Sequence, residues 1–94
     1  MKNAVVLFAP SVDAALTNMI DYVETDDLPA VLNFLEELQT RLVHTLSTHP
    51  EGGAPFQGTV RMFAIRGYTF LYEYHGEANE VHVLDMIAPG QNWR

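Results

Sequence analysis

The chain has 94 residues, a formal charge of −7, 48 % hydrophobic and 18 % charged residues, and no cysteine. Those values exclude disulfides, thiolate nucleophiles and cysteine-bound zinc. They also leave room for one core of two packed layers, hence a single domain over residues 1–94 with no separate catalytic domain. Six acidic residues fall between Asp21 and Glu37, so direct tight binding to DNA or RNA, which needs clustered Lys or Arg at the phosphates, is not expected. The N-terminal MKNAVVLFAP has too short an apolar run for a signal peptide. No window approaches the ~20 apolar residues of a membrane span. The expectation is a cytoplasmic protein with no membrane contact.

Val5 to Ala9 reads as a short strand. Ser11 follows Pro10 and is placed to cap a helix, with Asp13 at the positive end of its dipole. Val12, Leu16, Met19, Ile20 and Val23 then fall at helical spacing, which predicts a helix ending near Glu24. Thr25-Asp26-Asp27 is punctuation, and Pro29 suits the first turn of a second helix. That helix carries Val31, Leu35, Leu38, Leu42, Val43 and Leu46 on one stripe, broadened by Phe34, and stops before Pro50 and Gly52-Gly53. So short a connection predicts an antiparallel helical hairpin.

Glu51 to Gly58 reads as a Gly/Pro-rich loop. Three strands follow: Thr59 to Ile65, Tyr68 to Tyr74 and Glu80 to Ile87. Arg66-Gly67 is a tight turn between the first two, where Gly67 supplies a positive φ. His75 to Asn79 is a second turn region, Pro89-Gly90 stops the sheet, and Gln91 to Arg94 is a tail. The order is β-α-α-β-β-β. The fold class is α+β, an antiparallel sheet with a helical hairpin packed on one face, the N-terminal strand adding to the sheet. Tyr68, Phe70, Tyr72 and Tyr74 share one side of a strand. They either serve a partly open sheet face, or Phe70 and Tyr72 sit beneath the helices.

With that order in view, "DYVETDDLPAVLNFLEELQTRLVHTLSTHPEGG" resembles the helical hairpin and following loop of the RelE/ParE toxin superfamily. "GTVRMFAIRGYTFLYEY" is similar to its central hairpin, and "VHVLDMIAPGQNW" to its last strand and Gly-x-x-Trp tail. The likeness runs through nearly the whole chain. It implies the toxin half of a type II toxin–antitoxin pair, neutralised by a cognate antitoxin, as a dimer or a toxin–antitoxin hetero-oligomer. The superfamily holds two chemistries. RelE-type members cut mRNA on the ribosome with a cluster of cations that stabilises developing charge. ParE-type members bind and inhibit DNA gyrase.

The residues favour the second. Arg61 matches the superfamily's strand arginine, but Thr69 stands where an arginine usually follows the Gly-Tyr pair. "PEGGAPFQG" has no basic residue, and "PGQNW" has neither a lysine–arginine pair nor a tyrosine. His44, His49, His75 and His82 share no short motif, and no HxH or HExxH spacing suggests a metal. Ser11 and Ser47 lie at helix ends without a nucleophile elbow, and Gly52-Gly53 lacks the Lys-Ser/Thr of a P-loop. No catalytic residue, cofactor or metal is expected. The reading is a ParE-like toxin that inhibits gyrase by protein–protein binding. The alternatives are a RelE-like mRNA interferase and a non-toxic ParE-like binding module. The expected anchors for target or antitoxin are Arg61, Arg66, Tyr68, Trp93 and Arg94, because arginine and aromatic side chains dominate binding hot spots. Against this, Arg66 could merely fill a turn and Arg61 pair with a carboxylate.

Overall fold

The computed structural model describes residues 3–21 and 25–89. In chain order they form β1 (Val5–Phe8), α1 (Pro10–Asp21), a 3₁₀ turn (Thr25–Asp27), α2 (Leu28–Thr48), β2 (Ala54–Gln57), β3 (Val60–Ile65), β4 (Tyr68–His75) and β5 (Glu80–Ile87). The strands make one sheet in the order β1-β5-β4-β3-β2. β2 to β5 pair antiparallel, whereas β1 runs parallel to β5. The class is α+β, as the element pattern predicts, and the sheet is mixed because β1 enters beside the last strand.

Helix and sheet meet in a single apolar cluster. Val12 and Leu16 of α1, Leu35, Leu38, Leu42 and Leu46 of α2, and Ile65, Phe70, Tyr72, Val81, Val83 and Met86 of the sheet are all buried in it. The leucine spacing of three and four residues keeps one face of α2 on the sheet for its full length. Val43 falls off that face and is exposed, correcting the stripe expected from the sequence. Phe70 and Tyr72 lie in the core, with Tyr68 and Tyr74 packed partly buried against it. The β4 aromatics therefore face the helices, and the opposite sheet face carries residues such as Val5 and Leu7, both exposed.

Three local features differ from the expectation. Ser11 does not cap α1. The helix begins at Pro10, the Ala9 carbonyl accepts the N–H groups of Val12 and Asp13, and the Ser11 hydroxyl donates to the Leu84 carbonyl at 2.9 Å. That bond ties α1 to β5. Residues 54–57, expected to be loop, form edge strand β2, whose pairing with β3 shifts register between Pro55 and Gln57. Thr25–Asp27 is a helical turn leading into α2, with Pro29 in the first turn of α2 as expected. The expected helix end near Glu24, the role of Val23, and the tail Gly90 to Arg94 lie outside the described residues.

Candidate functional site

The β3–β4 hairpin positions the arginines. Ile65 pairs with Tyr68 across the two-residue turn Arg66-Gly67. Arg66 has φ 51° and Gly67 φ 85°. Positive φ at both central positions marks a type I′ turn, whose twist matches the flanking strands. Glycine adopts that conformation freely; arginine gives up about 1 kcal/mol in it. Gly67 is also close to Pro89, whose ring a Cβ would meet at 3.2 Å.

The Arg66 guanidinium reaches back to α2. Its Nη2 donates to Glu37 Oε1 at 2.8 Å, and its carbon sits 5.8 Å from the centre of the Phe34 ring. Phe34 in turn lies 5.7 Å from Tyr68, ring centre to ring centre. Arg41, one turn along α2 from Glu37, brings its Nε to 3.8 Å from the same carboxylate oxygen. Two guanidinium groups thus share one carboxylate, which leaves a local charge of +1 on an otherwise acidic surface.

Arg61 sits at the other end of β3, five residues of strand away, or about 17 Å at the usual rise. Its Nη1 donates to the carbonyls of Gly53 at 2.9 Å and Glu51 at 3.2 Å, and Nη2 lies 4.0 Å from a Glu51 carboxylate oxygen. Its cross-strand partner is Tyr72. The buried Tyr72 hydroxyl accepts the Gly53 N–H at 2.8 Å. Burial pushes the Tyr72 phenol up from its ordinary value, while the Gly53 bond and the nearby Arg61 charge oppose the shift. Residues 51–53 are therefore held from both sides, carbonyls to Arg61 and N–H to Tyr72. Arg61 is partly buried and held there by those bonds.

Arg66 and Tyr68 come together, and Arg61 stands apart from them; Trp93 and Arg94 lie outside the described residues. Phe34, Glu37 and Arg41 join Arg66 and Tyr68 although the sequence reading did not single out Glu37 and Arg41 as site residues. Their i, i+4 spacing on the second helix was a readable signal.

His44 lines one groove with Arg41 and Arg66. His49 ends α2, its N–H donating to the Thr45 carbonyl at 2.8 Å. His75 and His82 pack with ring centres 4.3 Å apart and planes tilted by 46°. His82 Nε2 is 2.9 Å from Glu80, and His75 Nε2 is 3.6 Å from Glu73. Among the described residues no group of three acidic or histidine side chains is arranged to hold a metal ion. No helix among them is long and apolar enough to cross a membrane.

Residues 6–93 match the family described as "ParE toxin of type II toxin-antitoxin system, parDE". The chain belongs to this ParE toxin family. No curated protein matches it. Among solved structures, the ParE-family fold seen here is similar to a chain of the toxin–antitoxin complex RelBE2 from Mycobacterium tuberculosis, at TM-score 0.60 and 20 % identity, covering 89 % of this chain and 95 % of that one. The isolated E. coli RelE toxin matches at TM-score 0.59 and 16 % identity over 95 % of this chain and 87 % of that one. A chain of the intact E. coli RelBE toxin–antitoxin complex matches at 0.58 and 18 % over 97 % and 99 %. These likenesses carry the fold. Within it, Arg61 on β3 of this ParE-family member directs its Nη1 bonds to its own loop.

Proposed function

We propose that this ParE-family toxin acts by docking onto a protein target, DNA gyrase being the expected one, and is held inactive by a cognate antitoxin. The observation that carries this reading is where the cations are engaged. Cationic groups that converge on the scissile phosphate stabilise the charge that develops during RNA cleavage. Here Arg61 is committed to the carbonyls of residues 51 and 53, and Arg41 and Arg66 share Glu37 at the far end of β3. The hydroxyl beside Arg61, that of Tyr72, is buried and accepts the Gly53 N–H, and the two arginines that share a groove with His44 both lean on Glu37. What the hairpin and α2 together present is an exposed arginine, Arg66, over the Phe34 ring, which packs in turn against Tyr68, the composition of a binding hot spot. Arg66 and Tyr68 are the proposed contact residues, and Arg61 supports the surface from within.

Two assays on the purified protein test this. In a supercoiling reaction it inhibits gyrase, and in a cell-free translation reaction it leaves mRNA intact. Ribosome-dependent cleavage of mRNA without gyrase inhibition would replace the proposal with the interferase reading. Inertness in both assays, together with no growth arrest when the gene is induced alone, would leave a non-toxic binding module.

A further inference from the structure

The sheet ends on two unlike edges. The β2 edge is guarded, because it carries Pro55 and its pairing with β3 shifts register there. The β1 edge reads Val-Val-Leu-Phe, with neither a charge nor a proline. Val5 and Ala9 donate their N–H groups to the Asn79 and Val83 carbonyls on the β5 side. Backbone direction alternates along a strand, so Val6 and Phe8 turn their N–H and C=O groups away from the sheet. Among the described residues nothing pairs with those groups. Val5 and Leu7, on the sheet face away from the helices, are 56 % and 43 % exposed. Helix α1 leaves β1 inward: the Ser11 hydroxyl donates to the Leu84 carbonyl, and Val12 and Leu16 are buried in the core. It therefore lies over β5 and leaves the outer side of β1 uncovered.

We infer that β1 pairs antiparallel with β1 of a second copy of this chain, about a two-fold axis at Leu7. Val6 then faces the partner's Phe8, and Phe8 the partner's Val6. Each pair exchanges both its N–H···O bonds, which satisfies every outward backbone group of the strand. Leu7 falls at the non-hydrogen-bonded position between them, where facing side chains come closest, and meets the partner's Leu7. Val5 comes to lie beside the partner's Ala9. Both exposed apolar side chains of β1 are thus covered in each copy. A two-fold axis at Val6 fits worse. It sets Phe8 against Ala4, whose N–H is already given to the Ser47 carbonyl. The occupant is a second copy because the edge complements itself. Its free donors and acceptors match under rotation, and the uncharged strand sets no like charges face to face even though the chain carries −7. In the sheet order β1-β5-β4-β3-β2, the Arg66 turn joins β3 and β4, away from this edge. Self-pairing and target docking therefore use different parts of the sheet, and the inference stands whatever the target is.

The chain has no cysteine, so single cysteines introduced on β1 report the register. At a non-hydrogen-bonded antiparallel pair the Cα atoms stand about 4.5 Å apart, within disulfide reach. Under mild oxidation Leu7→Cys should form a covalent dimer at least about tenfold faster than Val5→Cys, whose copies the two-fold axis holds well beyond that reach. Val5 is the more exposed of the two, so random collision would favour the opposite order. Leu7→Lys sets like charges against each other at the axis. In sedimentation velocity it should self-associate at least about tenfold more weakly than wild type, with an unchanged circular dichroism spectrum. It should do so although it lowers the net negative charge, which by itself favours association. A wild-type chain that stays monomeric up to millimolar concentration overturns the inference. So does equal cross-linking of the two cysteine variants, or a dimer that persists in Leu7→Lys. If Leu7→Lys does not fold, the cysteine pair decides alone. If purified antitoxin binds Leu7→Lys more weakly and wild type shows no self-association, the edge belongs to the antitoxin and the inference fails.

Discussion

An arginine stands near each end of β3, Arg61 within the strand and Arg66 in the turn that follows it, and the two are held in opposite ways. At Arg61 the guanidinium is partly buried, and its Nη1 donates to backbone carbonyls 8 and 10 residues back in the chain. At Arg66 the guanidinium is half-exposed, stands on a left-handed turn residue, and is held by one carboxylate and an aromatic face. Carbonyls cannot move away without dragging the backbone, so Arg61 is part of the scaffold. A surface carboxylate can release its partner at little cost, which is why Arg66 is the residue proposed to meet another molecule. Both residues are arginines on one hairpin, and only their surroundings separate support from presentation.

The sharpest way to break this contrast lies at Gly53, beneath Arg61. A Cβ there would come 2.5 Å from the Tyr72 hydroxyl and 2.7 Å from the Met62 carbonyl oxygen. The second of these is backbone of β3 and cannot swing aside. Gly53→Ala should therefore lower the unfolding free energy by about 3 kcal/mol, combining overpacking with loss of the Tyr72 bond. Urea denaturation followed by circular dichroism reads the effect. An unchanged midpoint would mean that residues 51–53 are not clamped against the sheet.

Tyr72→Phe removes the hydroxyl and leaves the ring. The Gly53 N–H then loses its buried acceptor, at a cost of about 1–3 kcal/mol. The same change has a pH signature. Burial raises the Tyr72 pKa above its ordinary value of 10.0, so the unfolded chain loses this proton at lower pH than the folded one does. Tyr72 therefore favours folding fully below about pH 10, and that contribution fades as pH climbs toward the folded value. Stability measured between pH 8 and 11 should fall less steeply in Tyr72→Phe than in wild type. Parallel profiles would show that the phenol is not desolvated.

These positions also mark what the sequence could reveal. The bounds of β5, the I′ turn with Gly67, the Leu35-Leu38-Leu42-Leu46 face and Pro29 at a helix start are all local signals, set by residues within one turn or one strand of each other. β2 was hidden because all four of its residues are exposed and one is proline, so it has neither alternation nor an unbroken donor ladder. Ser11 was misread because capping is a local rule, whereas its acceptor lies 73 positions away on β5. The two arginines were hardest to separate. The charge that meets Arg66 sits 29 residues earlier on α2, and no spacing rule joins a turn to a helix in advance of the fold.

The smallest expected effect on stability is the most informative about function. Arg61→Ala deletes two charge-assisted bonds at a partly exposed site and should cost about 1–2 kcal/mol. Arg66→Gly loses an exposed ion pair worth about 0.2–1 kcal/mol. It also removes the left-handed strain at φ 51°, about 1 kcal/mol in the opposite sense. The two terms offset, so the unfolding midpoint of Arg66→Gly should stay near that of wild type. Its inhibition of the target should nonetheless weaken about tenfold, as for a hot-spot arginine. A folded, stable Arg66→Gly that inhibits as well as wild type would remove Arg66 from the docking surface. If Arg61→Ala were then the stable but inactive variant, support and presentation would be exchanged between the two ends of the strand.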